Sequence, residues 1–349
     1  MEGFGTNQLG ALMKNKLYTA LATGVITMGV SAVANACSYS TFEVNGEAFV
    51  SRTMEAPDFM GEHFVTVPRN YDINGKSGPV GFVGMRHADT EWISSGLNEH
   101  GVNVESLALL VSEYVEEGVG DINYLEVVGH VLANAKSVDE AVELLKKTKV
   151  ETTTIKVAHD LTVGMHYAIR DKERAIVVEY VDGSGYPTIY ENEVGVMAND
   201  PAFPDQVAEA QKHIEAAAAR TEETVDVWNK LDSGITGRFS HLAAINAEYI
   251  NRGPDSDERN NGLARAFSIL NAMEIVPSTM YWLWVSPDSQ MIGYGNVVDF
   301  ANNDYYYRTA NNPDIRKVDL DKIDFSTVKY SAQDIYKQVP RFTDVTITN

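Results

Sequence analysis

Cys37 is the only cysteine in a chain of 349 residues, and its position suits covalent chemistry. It directly follows the tripeptide at 34–36, in which alanine occupies both positions that a signal peptidase reads before its cleavage point. Lys14 and Lys16 stand before an apolar stretch that leads into this tripeptide, as in a secretory signal. The pattern predicts that residues 1–36 are a signal peptide, and that its removal leaves a thiol and a free α-amino group together on Cys37.

The start of this signal has two interpretations, because residues 1–12 lack its character and Met13 could be the first residue. With either first residue, the signal predicts export of the protein to the periplasm of a Gram-negative bacterium or to the outside of the cell. An exported chain with one cysteine cannot form an intramolecular disulfide, which leaves a reactive thiol to be explained.

Two interpretations of the thiol compete. A lipoprotein signal also ends at a cysteine that becomes acylated, but it favours a leucine-like residue three positions upstream and a small one two upstream. Ala34 and Asn35 occupy those positions and fit poorly. The alternative is that Cys37 is a nucleophile, with its own α-amino group as the base.

The residues after Cys37 predict a β-hairpin. Segments 38–44 and 47–54 are rich in β-branched and aromatic residues, and they flank Asn-Gly at 45–46, the strongest short hairpin signal. A two-residue turn fixes the register of the two strands. Pairing Val44 with Glu47 places Tyr39 opposite Arg52 and Cys37 opposite Met54. Arg52 is then predicted to be a diagonal neighbour of Cys37, with their backbones about 7 Å apart across the two strands.

This neighbour matters for the chemistry of the thiol. A guanidinium beside a thiol lowers the thiol pKa and favours the attacking thiolate. The free α-amino group of Cys37, with an ordinary pKa of about 7.7 to 8.0, can accept the thiol proton without a histidine. Glu55 follows near the predicted end of the strand, either as a rim carboxylate that pairs with Arg52 or as a group that positions the ammonium and the guanidinium.

With these residues the sequence resembles the choloylglycine hydrolase family, which includes penicillin V acylases and conjugated bile salt hydrolases. The family pattern is an N-terminal cysteine, a hairpin and then Arg-x-Met/Leu-Asp, and here Cys37 is followed by Arg52-Thr53-Met54-Glu55. The hairpin is one residue shorter than in the family, and glutamate stands where the family has aspartate. The glutamate side chain is one methylene longer than that of aspartate, so the role of the Glu55 carboxylate stays open.

Five further segments resemble the family in the same order along the chain. They are GLNEHGV at 96–102, MHYAIRDKERAIVVEYVDG at 165–183, VMANDPAFPDQ at 196–206, GRF at 237–239 and YYYRTANNPDIRKVDLDKIDF at 305–325. Each segment alone would be weak evidence, and their common order makes the resemblance strong.

The resemblance also implies roles for individual residues. Asn199 matches the oxyanion-stabilising asparagine, helped by a backbone N–H at or next to Ala108, and Arg238 matches a second active-site arginine. Ala108 falls where relatives carry Tyr, Asn or Trp, which predicts a smaller pocket wall. Phe59 and Met60 leave the hairpin and are candidates for lining an apolar acyl cleft. Outside the family context, Arg238 would simply open a helix.

The secondary-structure signals give an α+β chain. Helices are predicted over Ile122–Ala135, Val138–Lys147, Asp205–Arg220 and Glu258–Met273, and hairpins over 38–44 with 47–54, 163–170 with 174–182, and 281–286 with 290–296. Hairpins outnumber βαβ units, which favours antiparallel sheets. The family resemblance implies the N-terminal nucleophile hydrolase fold, a four-layer αββα sandwich of two antiparallel sheets between helical layers, as a single domain over residues 37–349.

Composition limits the partners. The chain has 28 basic and 49 acidic residues, a formal net charge of −21, which argues against nucleic acid or an anionic membrane surface as partner. After residue 37 no apolar run is long enough for a membrane span. No His-Glu-x-x-His pattern, Cys-His metal spacing or Gly-rich phosphate loop is present, so neither a metal nor a cofactor is predicted.

The sequence therefore predicts hydrolysis of a small linear amide by Cys37 through an acyl-enzyme, with penicillin V as the first substrate to test. Conjugated bile salts and N-acyl homoserine lactones are the alternative substrates that the resemblance implies. A non-enzymatic alternative is a lipidated surface protein that binds a ligand. A Cys-His peptidase is the third alternative, because the chain has eight histidines. The resemblance also implies a homo-oligomer, most simply a tetramer.

Overall fold

The hairpin after Cys37 sets the starting point of the fold. In a computed structural model, the residues at 45–46 have φ angles of 56° and 81°, the left-handed conformation that a tight hairpin turn requires. Val44 pairs with Glu47 and Tyr39 with Arg52, so the predicted register is confirmed. The structure describes residues 37–56, 61–73, 76–87, 90, 92–155, 162–218, 235–252, 261–279, 287–343 and 345–346.

Strands and helices follow one another in a mixed order. The strands are β1 (Ser38–Val44), β2 (Glu47–Ala56), β3 (His63–Val67), β4 (Phe82–Arg86), β5 (Ile93–Asn98), β6 (Asn103–Ala108), β7 (Ile122–Asn123), β8 (Val150–Glu151), β9 (Met165–Arg170), β10 (Ala175–Glu179), β11 (Thr188–Glu191), β12 (Val196–Ala198), β13 (Met291–Asp299), β14 (Asp304–Thr309), β15 (Asn312–Asp319) and β16 (Ser331–Asp334). The helices are α1 (Val127–Asn134), α2 (Val138–Leu145), α3 (Phe203–Ala218), α4 (Ile235–Arg252) and α5 (Gly262–Ala272).

These elements form two large antiparallel sheets. One has six strands in the order β12-β1-β2-β13-β14-β15, and the other has eight in the order β11-β10-β9-β6-β5-β4-β3-β16. Helix α4 contacts β1 and β12, α5 contacts β2 and β13, and α3 packs against α4. Helix α1 contacts β5 and β6 of the larger sheet, and α2 packs against α1. The predicted four-layer sandwich is confirmed.

Two buried clusters hold the layers together. The first joins the facing sides of the two sheets, through side chains such as Tyr39, Leu107 and Tyr305, to helices α3, α4 and α5. The second lies between the eight-stranded sheet and helices α1 and α2, with Leu132 and Tyr167 fully buried. Both faces of each sheet are therefore covered, which explains why β5 and β6 are buried along their whole length instead of alternating.

Most of the predicted elements are present, with shifted ends. The strands at 165–170 and 175–179 pair as predicted, and α2 begins at a Ser137 cap whose hydroxyl accepts from the Glu140 N–H at 3.2 Å. Strand β13 covers the predicted segment 290–296, while its predicted partner 281–286 lies outside the described residues.

Two helix predictions need correction. The helix predicted from Ile122 begins only at Val127, because Ile122–Asn123 pair in parallel with Val150–Glu151 as strands β7 and β8. Helix α4 (Ile235–Arg252) was not among the predicted helices, although Arg238 was recognised as a residue that could open one. Among the described residues, no helix has the length and apolar character needed to cross a membrane.

Asn98 ties the turn between β5 and β6 to the end of α1. Its Nδ2 donates to the carbonyls of Leu132 and Ala135 at 3.0 and 2.7 Å. Its Oδ1 accepts from the N–H groups of His100 and Val102, each at 3.0 Å. The side chain is fully buried, so loss of the amide would remove four hydrogen bonds to backbone groups, most of them buried.

We expect Asn98→Ala to lower the free energy of unfolding by roughly 3 to 5 kcal/mol, because buried backbone groups would lose their hydrogen bonds. Urea unfolding followed by far-UV circular dichroism measures the change. Asn134→Ala is the control, since the half-buried Asn134 amide makes a single bond to the His130 carbonyl, at 2.9 Å, and should cost about 1 kcal/mol or less. Equal losses in the two variants would contradict the role given to Asn98.

Candidate active site

Cys37 lies just before β1 and is 3% exposed. Its thiol faces Met54, as the hairpin register predicted, and donates to the Met54 sulfur at 3.9 Å. The backbone N–H of Glu55 donates to Cys37 Sγ at 3.5 Å. The thiol is therefore held against β2 by one side chain and one backbone group.

Arg52 is 1% exposed and reaches from β2 into the space between the two sheets. Its Nη2 donates to the Ser106 carbonyl on β6 at 2.9 Å and to the Met54 sulfur at 3.3 Å. Its guanidinium lies over the Tyr294 ring at 4.9 Å, and Nε is 3.7 Å from Glu105 Oε2. Arg52 thus lies beside the thiol, as predicted, and contacts it through Met54.

Glu55 points the other way, towards the helices. Its Oε1 accepts from Arg238 Nη1 on α4 at 2.9 Å and from the Thr53 hydroxyl at 3.2 Å. The side chain is 2% exposed. The interpretation of Glu55 as a rim carboxylate paired with Arg52 was wrong, because strand alternation sends the two side chains to opposite faces of the sheet. Arg238 is the arginine that Glu55 binds.

The strand opposite Glu55 carries an irregularity that shapes this corner. Ile292 pairs with Glu55 and Tyr294 with Met54, so Gly293 is an extra residue in β13. A Cβ on Gly293 would lie 3.2 Å from both Glu62 Oε1 and the Tyr336 hydroxyl. Glycine at this bulge therefore lets buried polar groups approach the end of β2 closely.

Burial dominates the ionisation of the site. Burial raises the pKa of the Cys37 thiol above its ordinary value, and the charge of the Glu55 carboxylate adds to this rise. Arg52, the backbone N–H of Glu55 and Arg238 lower the pKa. Arg52 lowers the pKa of the thiol, as predicted, but the rise caused by burial is larger. Burial also raises the pKa of Glu55 to about 7, against the pull of Arg238. With residues 1–36 attached, the Cys37 nitrogen is an amide and cannot act as a base.

Asn199 follows β12, which pairs with β1 so that Ser38 faces Ala198. In this antiparallel register the next pair along is Cys37 with Asn199, which brings the predicted oxyanion donor to the nucleophile. Asn199 is fully buried, and its Nδ2 donates to the Ala108 carbonyl at 2.7 Å. The Gln206 amide in turn donates to the Asn199 carbonyl and fixes this turn.

Ala108 ends β6 and is 3% exposed. The backbone N–H of its neighbour Leu109 donates to the Gly164 carbonyl at 2.8 Å, and that of Leu110 donates to the Asp200 carboxylate at 3.0 Å. Of the backbone donors predicted near this point, the Leu109 N–H is thus already used. Phe59 and Met60, the predicted pocket residues, lie outside the described residues.

The sequence analysis gave no site role to two buried carboxylates, Glu105 and Glu179. Glu105 faces Arg52 from the opposite sheet, and Glu179 with the buried His166 supports the Asn199 turn. His166 Nδ1 lies 3.0 Å from Glu179 Oε1, which also accepts from the Phe203 N–H at 2.9 Å. A charged residue at an inward position of a buried strand is the signal that could have pointed to both carboxylates.

Within the described part of the chain, no cluster of three or more His, Cys, Asp or Glu side chains could hold a metal ion.

Residues 37–335 match the family model described as linear amide C–N hydrolases, choloylglycine hydrolase family. The chain belongs to the choloylglycine hydrolase family. It is therefore a hydrolase of linear amide C–N bonds, and the match begins at the cysteine to which the geometry points.

Members of this family with known activity are distant in sequence and close in fold. The bile salt hydrolase/transferase of Clostridium perfringens is 24% identical over 306 residues, 80% of this chain and 90% of that protein. The penicillin V acylase of Pectobacterium atrosepticum is 25% identical over 259 residues, 67% of this chain and 63% of that protein. A crystal structure of a conjugated bile acid hydrolase variant from C. perfringens has a TM-score of 0.75 at 22% identity, covering 89% of this chain and all of the other. Penicillin V acylase from Agrobacterium tumefaciens gives 0.70 at 20% identity, covering 87% and 94%.

The raised pKa of Glu55 makes a testable contribution to stability. Because the folded protein binds this proton more tightly than the unfolded chain does, the contribution is largest below the ordinary pKa of 4.5 and is lost as the pH rises through about 7. Relative to Glu55→Gln, the parent should therefore lose roughly 3 kcal/mol of unfolding free energy between pH 4 and pH 8.

Urea unfolding of both proteins across this pH range measures the difference. Each should also carry Cys37→Ala, so that the thiol does not titrate in the comparison. A difference that stays constant with pH, or that grows in favour of the parent as the pH rises, would show that Glu55 is ionised throughout.

Proposed function

We propose that this hydrolase is an exported N-terminal cysteine amidohydrolase of the penicillin V acylase type, matured by cleavage before Cys37. The observation that carries the proposal is the environment of one atom. Cys37 Sγ lies against Met54 and the Glu55 N–H, with Arg52 on one face of the sheet and Arg238 on the other. The predicted cleavage point precedes this same residue, so one cut would free the α-amino group that serves as the base for the thiol.

The first step is transfer of the thiol proton to the α-amino group of Cys37. Cleavage between Ala36 and Cys37 turns a backbone amide, which is not basic, into an amine with an ordinary pKa of about 7.7 to 8.0. The ammonium that forms beside the sulfur then stabilises the thiolate, so the mature chain is the reactive form.

The second step is attack of the thiolate on the carbonyl carbon of the substrate amide. The C=O electron pair moves to oxygen, and the resulting oxyanion needs donors that are already in place. Asn199 Nδ2 carries two hydrogens, and its bond to the Ala108 carbonyl holds the amide plane in position. Asn199 is therefore the proposed oxyanion donor next to Cys37.

The tetrahedral intermediate collapses by breaking the C–N bond. The ammonium of Cys37 returns its proton to the leaving nitrogen, the amine departs, and the acyl group remains on Cys37 as a thioester. Water then attacks the thioester with the α-amino group as base, which releases the carboxylic acid and restores the thiol. No metal or cofactor takes part in this sequence.

Substrate choice rests on the wall around the thiol. Ala108 contributes only a methyl group where relatives carry larger side chains, which leaves room for a bulky acyl or aryl group. Penicillin V and the conjugated bile salts both join a neutral acyl group to an anionic leaving amine, so the formal charge of −21 does not separate them. Penicillin V is the first substrate to test, with conjugated bile salts and N-acyl homoserine lactones as the alternatives.

Expression of the full chain with export, followed by intact mass and N-terminal sequencing, tests the maturation step. We expect a free Cys37 at the N-terminus and amine release from penicillin V that falls at least about 10³-fold in Cys37→Ala. Glycocholate and an acyl homoserine lactone series run beside penicillin V and decide the substrate class.

Two results would contradict the proposal in different ways. A lipid on Cys37 would replace the nucleophile by a membrane anchor. A free Cys37 that hydrolyses bile salts or homoserine lactones but not penicillin V would keep the mechanism and overturn the substrate.

Replacement of the oxyanion donor provides a second test. Asn199→Ala should lower kcat by about 10² to 10³-fold with little change in KM, because the donor acts on charge that develops in the transition state. Asn246→Ala is the matched control, since Asn246 is also a buried amide that donates to backbone carbonyls, those of Thr41 and Gly195, away from the thiol. It should reduce stability and leave kcat within about 3-fold; an equal loss of kcat in both variants would remove Asn199 from the mechanism.

A further inference from the structure

Glu105 is a fully buried carboxylate on β6, in the space between the two sheets. Its Oε1 accepts from the Ser95 hydroxyl at 3.0 Å, from Asn103 Nδ2 at 2.9 Å and from Asn296 Nδ2 at 2.8 Å. The other oxygen, Oε2, lies 3.7 Å from Arg52 Nε. The three hydrogen bonds to Oε1 fix the orientation of the Glu105 carboxylate, so that Oε2 points at the Arg52 guanidinium. A buried carboxylate held by such a network stays in one position.

The three donors come from both sheets. Ser95 and Asn103 belong to β5 and β6 of the eight-stranded sheet, whereas Asn296 belongs to β13 of the six-stranded sheet and pairs directly with Arg52. Glu105 is therefore attached to the strand next to β2 as well as to its own sheet. Its distance from Arg52 is fixed by the packing of the two sheets.

Arg52 connects Glu105 to Cys37 through the sulfur of Met54. Its Nη2 donates to the Met54 sulfur at 3.3 Å, and that sulfur accepts from the Cys37 thiol at 3.9 Å. The same Nη2 donates to the carbonyl of Ser106, the residue after Glu105. The guanidinium is thus held between the residue pair 105–106 on one side and the Met54-Cys37 contact on the other.

We propose that Glu105 is a positioning residue that holds Arg52 in place and limits how strongly its positive charge acts on the Cys37 thiol. The proposal rests on the proposed function only in taking Cys37 as the nucleophile. Glu105 does not touch the reacting atoms and acts through Arg52.

Other charged and titratable groups face the same centre and stay unchanged in the test. Arg52 is faced by Tyr294 from β13, by Tyr305 from β14 and by His87 after β4, besides Glu105 and Cys37. Cys37 is additionally faced by Glu55 from β2 and Arg238 from α4. Among the described residues, Glu105 is the carboxylate within 4 Å of the Arg52 guanidinium, so its removal changes the balance of charge at Arg52 most directly.

The pKa of the Cys37 thiol is the readout, because the chain has no other cysteine. Thiolate absorbance at 240 nm is followed from pH 6 upwards, and the absorbance of the same protein carrying Cys37→Ala is subtracted to remove tyrosine ionisation. In Glu105→Gln, the guanidinium charge is no longer balanced, so the thiol pKa should fall by about one unit. Glu105→Asp keeps the charge at a greater distance and should give a smaller fall.

Ser94→Ala is the matched control, because it removes a buried hydroxyl that bonds the Tyr294 hydroxyl at 2.7 Å and makes no bond to Glu105. It should leave the thiol pKa unchanged. A folded Glu105→Gln protein with the thiol pKa of the parent overturns the proposal. If Glu105→Gln does not fold, Glu105→Asp provides the test. A larger fall of the thiol pKa in Glu105→Asp than in Ser94→Ala supports the proposal, and equal thiol pKa values in these two variants overturn it.

This titration requires no substrate, so it separates the two proposals. A thiol pKa that responds to Glu105 in a protein inert to every amide would retain the positioning role and reject the proposed function. A thiol pKa that does not respond in an enzyme that requires Cys37 would reject the positioning role alone.

Discussion

The two-residue turn between β1 and β2 determines what surrounds Cys37. With both turn residues in the left-handed region, the hairpin has a single register, in which Arg52 and Met54 share the face of Cys37. A slip of one residue would exchange the faces of β2 and turn Thr53 towards the thiol instead. Strand β12 pairs with β1, and this pairing places Asn199 beside Cys37, the predicted nucleophile. The site depends on backbone pairing before it depends on any side-chain contact.

Strand alternation then divides the charges of the site between two layers. Arg52 extends from β2 into the space between the sheets, where Glu105 lies 3.7 Å away, while Glu55 extends to the helical layer, where Arg238 donates to it at 2.9 Å. Each buried cation therefore has a carboxylate, which buried charges require. Burial of the thiol raises its pKa and outweighs the lowering by Arg52 and Arg238, so the two arginines do not by themselves produce a thiolate. The proposed cleavage before Cys37 would alter this balance by adding a third cationic group at the thiol.

The local part of this arrangement could be predicted from the sequence, and the long-range part could not. The hairpin, its register and the contact of Cys37 with Met54 follow from Asn-Gly at 45–46 and strand alternation. The partners of Arg52 and Glu55 depend on how two sheets and α4 pack, because Glu105 and Arg238 lie 53 and 183 residues away along the chain. The same limit explains the helix predicted from Ile122, since only the distant Val150 shows that this residue belongs to a strand. The four-layer fold and the role of Asn199 were predicted from the family resemblance. Local patterns alone would have placed Asn199 in a turn.

Glutamate in place of the family aspartate at position 55 can be explained by the two tasks of this residue. Its backbone N–H donates to Cys37 Sγ, which any residue at this point of β2 could do. Its carboxylate instead spans the distance to Arg238 on α4 and accepts from Thr53 on the way. An aspartate is one methylene shorter, so it would need α4 to lie closer to β2 to make the same bond. The glutamate and the position of α4 are therefore coupled, and the side chain joins the helical layer to the strand that contacts Cys37. In the proposed mechanism this carboxylate acts by fixing Arg238, whereas the proton of the thiol passes to the amine of Cys37 itself.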